Sequence, residues 1–193
     1  AILSTAEKII ITAADQDVHL DEKGPGFAFN KHIRNPHRIP GTVIQAVEMV
    51  RKAGTPLMGI QVITSKRHRE YGADNMNYLM QNHFNPQGEE NRFYYASKEF
   101  RLHDRVIHIK NNYDKNVFNG EIGEIIEVQH TRERALIVQY PSKTIPYAEK
   151  DLEELELAYA LTVHKCQGSE FSVVIIPVAS EGNNRRSLYT AVT

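Results

Sequence analysis

The 193-residue chain has a single cysteine, Cys166. That excludes an internal disulfide framework and suits a reducing compartment, so the cytoplasm is the expected location. No apolar run approaches the roughly 20 residues needed to span a bilayer, and no membrane is expected among its partners. The charged-then-apolar pattern of a signal peptide is missing from the N-terminus. Neither sign of charge is in excess: Lys and Arg number 23, Asp and Glu 24, for a formal net charge of -1. Such a balance neither indicates nor excludes a polyanionic partner, because binding needs only a local basic face. The 9 histidines contain no metal-ligand pattern: His103 and His108 lie near each other, but no second pair accompanies them, and zinc is not expected. Internal repeats and low-complexity tracts are lacking too. What remains is 41% hydrophobic and 24% charged residues, the profile of a soluble globular chain able to bury a core. Its length fits one domain, or one domain with a small insertion.

Ile2, Leu3, Ala6, Ile9, Ile10 and Ala13 recur at helical spacing and predict an amphipathic helix. Residues 19–41, rich in Gly, Pro, Asn and His, read mostly as loop. In "GTVIQAVEMVRKAGTP" Thr42 is the expected cap, Val43, Ile44, Val47 and Val50 form the stripe, and Gly54 and Pro56 end the helix. "GIQVIT" (59–64) is a short apolar run between breakers, a buried strand. "ADNMNYLMQNHF" predicts a helix with Ala73, Met76, Met80 and Phe84 inward. Near Phe100 the rhythm changes. "RVIHI", "EIGEIIEVQ", "RALIVQY" and "KTIPYA" are short and β-branched, with turns at Asn119-Gly120 and Pro141-Ser142. After "EKDLEELE" come "LAYALT" and "FSVVIIPV", two strands of the kind buried on both faces, and a helix begins at Arg185. The predicted class is α/β: a parallel-sheet domain, 1–98 with 150–193, interrupted by a small antiparallel β-barrel at 99–149.

"LTVHKCQGSEF" (161–171) crowds hydrogen-bonding groups directly after an apolar strand. The carboxyl end of a parallel strand is where open α/β sheets bind ligands. Gly168 permits close backbone approach, Lys165 adds charge, and Gln167 and Glu170 supply donors and acceptors. The alternative is a polar strand-to-strand loop. "KHIRNPHR" (31–38) reads as a solvated surface. Lys66, Arg67 and Arg69 read as either phosphate contacts or solvated surface, following a strand end. Tyr113, Lys115, Asn116 and Phe118 combine aromatic and basic character, as single-strand binders do, or else cap a hairpin. Cys166 with His164 lacks a third orienting group, so an inert buried thiol is expected rather than a nucleophile.

"YALTVHKCQGSEFSVVIIPV" with "LYTAVT" resembles motifs V and VI of the RecD-like branch of superfamily 1 DNA helicases. "VITSKRHREYGADNMNYLMQNHFNP" resembles the segment after that family's motif IV, and "DRVIHIKNNYDKNVFNGEIGEI" the start of its inserted Src-homology-type barrel. The resemblance runs from about Gly59 onward. It implies the second of two RecA-like motor domains, with ATP and Mg²⁺ held between the pair and single-stranded DNA crossing both. Carried over, Thr64, Thr162 and His164 face DNA; Lys66, Arg67 and Lys165, by charge and strand-end position, and Tyr113 and Lys115 on the barrel are further DNA-facing candidates. Gln167, Gly168, Ser169 and Glu170 lie towards the nucleotide. Ser187, Leu188, Tyr189, Thr190 and Thr193 match the approach to motif VI.

The departures limit what this stretch does alone. No GxxxxGK followed by Ser or Thr occurs, so the phosphate-cradling Lys is absent, and the motif VI arginine would follow Thr193. The chain opens at Ala1 without Met and stops inside "SLYTAVT", which reads as a fragment inactive by itself. The expectation is therefore the motor half of a helicase moving 5′ to 3′, in recombination or repair. Its partners would be single-stranded DNA, a single-strand/duplex junction, the N-terminal RecA-like domain of the same polypeptide and nuclease-complex subunits, as in an exodeoxyribonuclease V alpha-like protein. The alternatives are the helicase portion of a conjugative relaxase, a non-catalytic DNA- or protein-binding module, and a stand-alone hydrolase using Cys166 and His164.

Overall fold

A computed structural model of the chain describes residues 7–13, 27–30, 35–166, 169 and 171–179. Two compact units emerge, divided where the chain passes Leu79/Met80 and Tyr159/Ala160.

The first unit is built on a parallel sheet. Its strands are β1 (Glu7–Ala13), β2 (Phe27–Asn30), β3 (Ile60–Thr64), β11 (Ala160–Thr162) and β12 (Val173–Ala179), ordered β11-β3-β12-β1-β2. Every pairing in it is parallel. The helix expected over the first segment is therefore corrected to a strand at Glu7–Ala13. The helical spacing there rests partly on Ile2, Leu3 and Ala6, which lie outside the described residues. Within the strand, Ile9, Ile10 and Ile11 are consecutive β-branched residues, the composition of a doubly covered parallel strand. The 19–41 loop likewise gives up Phe27–Asn30 to β2.

Helix α1 (Ile39–Lys52) starts earlier than expected, because Pro40 sits in its first turn, where a missing N–H is harmless. Thr42 is thus inside the helix, and its hydroxyl donates to the Arg38 carbonyl at 3.0 Å instead of capping. Val43, Val47 and Val50 are buried as predicted. The chain leaves through Gly54 at φ 104°, a left-handed conformation that glycine adopts without strain. Strand β3 is buried along its whole length. Helix α2 (Ala73–Phe84) has the predicted bounds.

The second unit is antiparallel. β6 (Arg105–His108), β7 (Ile122–Val128), β8 (Leu136–Tyr140), β9 (Lys143–Tyr147) and β10 (Leu155–Leu157) form a sheet ordered β10-β6-β7-β8-β9. A separate hairpin pairs β4 (Arg92–Tyr95) with β5 (Lys98–Arg101). The core gathers Phe100, Val106, Ile125, Val138, Leu152 and Leu155. Gly120, at φ 98°, makes the predicted Asn119-Gly120 turn. "LAYALT" is not one strand. Leu157 ends β10 in the antiparallel sheet, Ala160 starts β11 in the parallel one, and Ala158 and Tyr159 carry the chain across. "EKDLEELE" supplies a 3-10 turn at Glu149–Glu154 that buries Leu152. The predicted helix from Arg185 lies outside the described residues. No helix among the described residues is long and apolar enough to cross a membrane.

Candidate nucleic-acid interface

Parallel pairing brings two predicted site residues side by side. Thr162 of β11 is the register partner of Thr64 of β3, so the two strands end together. Each then enters a tight turn.

After β3, residues 65–72 fold back onto the start of α2. The Ala73 and Asp74 N–H groups donate to the Lys66 and Arg67 carbonyls at 3.0 and 3.2 Å, satisfying donors that a helix start otherwise leaves open. Gly72 is obligatory here, because a Cβ would stand 2.5 Å from the Arg67 carbonyl oxygen and 2.6 Å from the Arg69 nitrogen. Thr64 itself is fully buried, and its hydroxyl donates to the Lys66 carbonyl at 2.7 Å. Its place is behind the loop, shaping it. Arg67 and His68 are exposed and both approach Asp74, at 3.3 and 2.9 Å. Lys66 is half-buried and has no ion-pair partner among the described residues. Of the "KHIRNPHR" cluster, His37 is exposed and pairs with Glu70 at 2.6 Å; residues 31–34 lie outside the described set.

After β11, Val163–Cys166 form one 3-10 turn. Val163 and Cys166 point into the core, while His164 is exposed and Thr162 and Lys165 are half-buried. Ser169 donates its N–H to the Cys166 carbonyl at 3.2 Å. Gln167, Gly168 and Glu170 lie outside the described residues, as do Ser187–Thr193. Cys166 is buried and joins no disulfide, which fits an inert role.

In the second unit Tyr113 is 77% exposed and meets Phe118 edge-to-face, with ring centroids 6.0 Å apart. Lys115 is not a free cation. Its ammonium donates to Asp151 at 2.7 Å and sits over the Tyr147 ring, 5.6 Å from the centroid. Burial alone would raise the Asp151 carboxyl; the hydrogen bond and charge of Lys115 outweigh it and hold the group below its usual range. Lys143, which the sequence did not single out, flanks the aromatic pair instead. It lies 5.7 Å from the Phe118 ring and 2.8 Å from Glu121.

Two buried polar groups also escaped sequence reading. Asp104 is fully buried and accepts from Gln81 (2.6 Å), Asn85 (2.8 Å), the Arg101 N–H (2.7 Å) and the Tyr159 hydroxyl (2.9 Å). Burial pushes its carboxyl up to about 6, against the pull of those donors. His108 is likewise buried, hydrogen-bonded through Nδ1 to the Tyr147 hydroxyl at 3.1 Å, and burial lowers its pKa. The only available signal for the Asp104 cluster was Asn77, Gln81 and Asn85 repeating every four residues, a polar stripe on a helix otherwise read for its apolar one.

Residues 76–140 match the family model described as the ATP-dependent RecD-like DNA helicase SH3 domain, and residues 157–193 match the UvrD-like helicase C-terminal domain. The chain is 36% identical over 149 residues to the ATP-dependent RecD2 DNA helicase of Deinococcus radiodurans, a match spanning 75% of this chain and 20% of that one. It is 34% identical over 111 residues to the RecBCD enzyme subunit RecD of Buchnera aphidicola, covering 52% of this chain and 17% of that one. The crystal structure of a Bacteroides Pif1 helicase with ADP-AlF3 and ssDNA superposes with a TM-score of 0.52 at 16% identity, over 86% of this chain and 49% of that one, a likeness of fold. The chain spans a fifth or less of the length of the curated relatives it matches. By the two family matches and the identity shared with RecD2, the chain is similar to RecD-like superfamily 1 DNA helicases over the stretches they cover.

Proposed function

We propose that the first unit is the second RecA-like motor domain of an ATP-dependent DNA helicase, and that the second unit is its inserted Src-homology-type barrel. The observation that carries this reading is the register pairing of Thr64 with Thr162. It sets two polar turns beside each other at the carboxyl ends of adjacent parallel strands, the position where such sheets take ligands. The 65–69 turn offers Lys66, Arg67 and Arg69 to phosphates, with Thr64 as its internal brace. The 163–166 turn offers Thr162, His164 and Lys165. Lys and Arg contacts of this kind supply sequence-independent affinity, and their release of counterions makes binding fall with salt. On the second unit the exposed Tyr113 supplies a face for base stacking, and Lys115 serves to hold the hairpin that carries it.

ATP and Mg²⁺ belong to the whole protein in this reading. Among the described residues no group of three or more His, Cys, Asp or Glu could hold a metal ion, and no step of hydrolysis is assigned to them. Gln167, Gly168, Ser169 and Glu170 are proposed to lie towards the nucleotide. The 193 residues contain no P-loop and are expected to turn over no ATP by themselves. Movement from 5′ to 3′, a junction substrate, an N-terminal RecA-like domain as partner, nuclease-complex subunits and a part in recombination or repair complete the proposal.

The test is DNA-stimulated ATPase of the natural full-length polypeptide, wild type against Gln167→Ala and His164→Ala. Strong stimulation in wild type and its loss in both variants supports a loop that couples DNA to ATP. A wild-type protein indifferent to DNA would remove the motor reading and leave a binding module.

A further inference from the structure

Among the described residues β11 is the outermost strand of the parallel sheet, and it is only three residues long. An edge strand presents one row of backbone N–H and C=O groups with no neighbouring strand to take them. At Ala160 that row is buried, since Ala160 has no exposed surface. A buried, unmet backbone group costs stability comparable to a lost hydrogen bond. The side chain of Asn77, on helix α2, meets both groups. Its Oδ1 accepts from the Ala160 N–H at 2.8 Å, and its Nδ2 donates to the Ala160 carbonyl at 2.9 Å. A carboxamide has one acceptor and two donors on a planar frame, as a peptide group has an acceptor and a donor. Asn77 therefore acts on β11 as one residue of a neighbouring strand would. The inner side of β11 is fixed by β3, through Ala160↔Val62, Leu161↔Ile63 and Thr162↔Thr64.

Two residues beyond the grip of Asn77 lies Thr162, and immediately after it the Val163–Cys166 turn that exposes His164. A strand this short has little pairing of its own to hold its end still. We propose that Asn77 is a positioning residue for the DNA-facing turn: by locking both backbone groups of Ala160 it sets where Thr162, His164 and Lys165 stand. Asn77 touches no substrate in this account and acts through β11. The inference rests on the reading that this turn faces DNA.

The experiment uses the natural full-length polypeptide, with ATPase measured against single-stranded oligonucleotide concentration for wild type, Asn77→Ala, Asn77→Asp and His164→Ala. Asn77→Ala removes both bonds; Asn77→Asp keeps an acceptor for the Ala160 N–H but loses the donor. Both are expected to raise the half-saturating oligonucleotide concentration, Asn77→Ala by about tenfold, the equivalent of two modest hydrogen bonds. The maximal stimulated rate should change far less than the half-saturation. If Asn77→Ala does not fold, the isosteric Asn77→Asp carries the test. A half-saturation equal to wild type, or maximal rates that fall only in proportion to the folded fraction, overturns the positioning role, provided His164→Ala shifts the half-saturation. If His164→Ala shifts nothing, the DNA-facing reading of the turn fails instead, and the positioning inference falls with it.

Discussion

Asp104 shows how one side chain can hold several chain segments together at a price in charge burial. Its four donors come from α2, from the residue just beyond that helix, from the turn at Arg101 and from Tyr159, where the chain leaves the second unit. A folded-state value of about 6 against an ordinary 3.8 corresponds to about 3 kcal/mol of destabilisation, fully present above pH 6 and relieved as pH falls towards 4. The sign follows because the folded state binds the proton more tightly than the unfolded one. Asp104→Asn is expected to be less stable at pH 7 by about 2 kcal/mol, because its amide NH₂ would face donors already in place. It should also lose the wild-type gain in stability between pH 7 and pH 5. Urea unfolding at a series of pH values checks both; equal pH slopes in the two proteins would contradict the assignment. A second contrast separates cations by role. Lys66→Ala should lower the salt slope of single-stranded DNA binding by about 1. Lys115→Ala should leave that slope alone and lower stability, because its partner is Asp151.

At the scale of elements, the 65–72 turn stands or falls on Gly72. With backbone atoms at 2.5 and 2.6 Å from the site of a new Cβ, Gly72→Ala cannot be absorbed by a side-chain rotation. It is expected to lower stability by about 1–3 kcal/mol and to weaken DNA binding by displacing Lys66 and Arg67, read by urea unfolding and fluorescence anisotropy. Wild-type affinity in a folded Gly72→Ala protein would separate this turn from the DNA. Elements with one clear signal were legible before the structure. α2 declared itself through Met76 and Met80 and the stop at Asn85-Pro86, and β6 to β9 through β-branched runs and the Asn119-Gly120 turn. Elements whose identity depends on distant partners were not. "EKIIITA" becomes a strand through its place between β12 and β2. "LAYALT" is cut in two because Tyr159 turns to Asp104. The β4–β5 hairpin had no Gly or Asn-Gly to announce it; Ala96 takes the positive φ of 52° instead. In the candidate site, residue types and the strand-end position were readable. The withdrawal of Thr64 into the core and the pairing of Lys115 were not, since both depend on what lies opposite.

Taken whole, the chain is two units with different kinds of connectivity. In the second, β6 to β9 pair with their neighbours in sequence. In the first, β12 lies between β3 and β1, so Glu7 stands opposite Val173. The order in which a ribosome delivers these segments then matters. β1, β2, α1, β3 and the entire second unit emerge before Val173–Ala179. The antiparallel unit can close as soon as Tyr159 is made, from contacts that are mostly local. The parallel sheet must wait with its central slot open, its unfilled strand edges offered to any passing chain. Synthesis of β12 is therefore, among the described strands, the step at which this sheet is most exposed to misassembly, and the one at which a chaperone has most to protect.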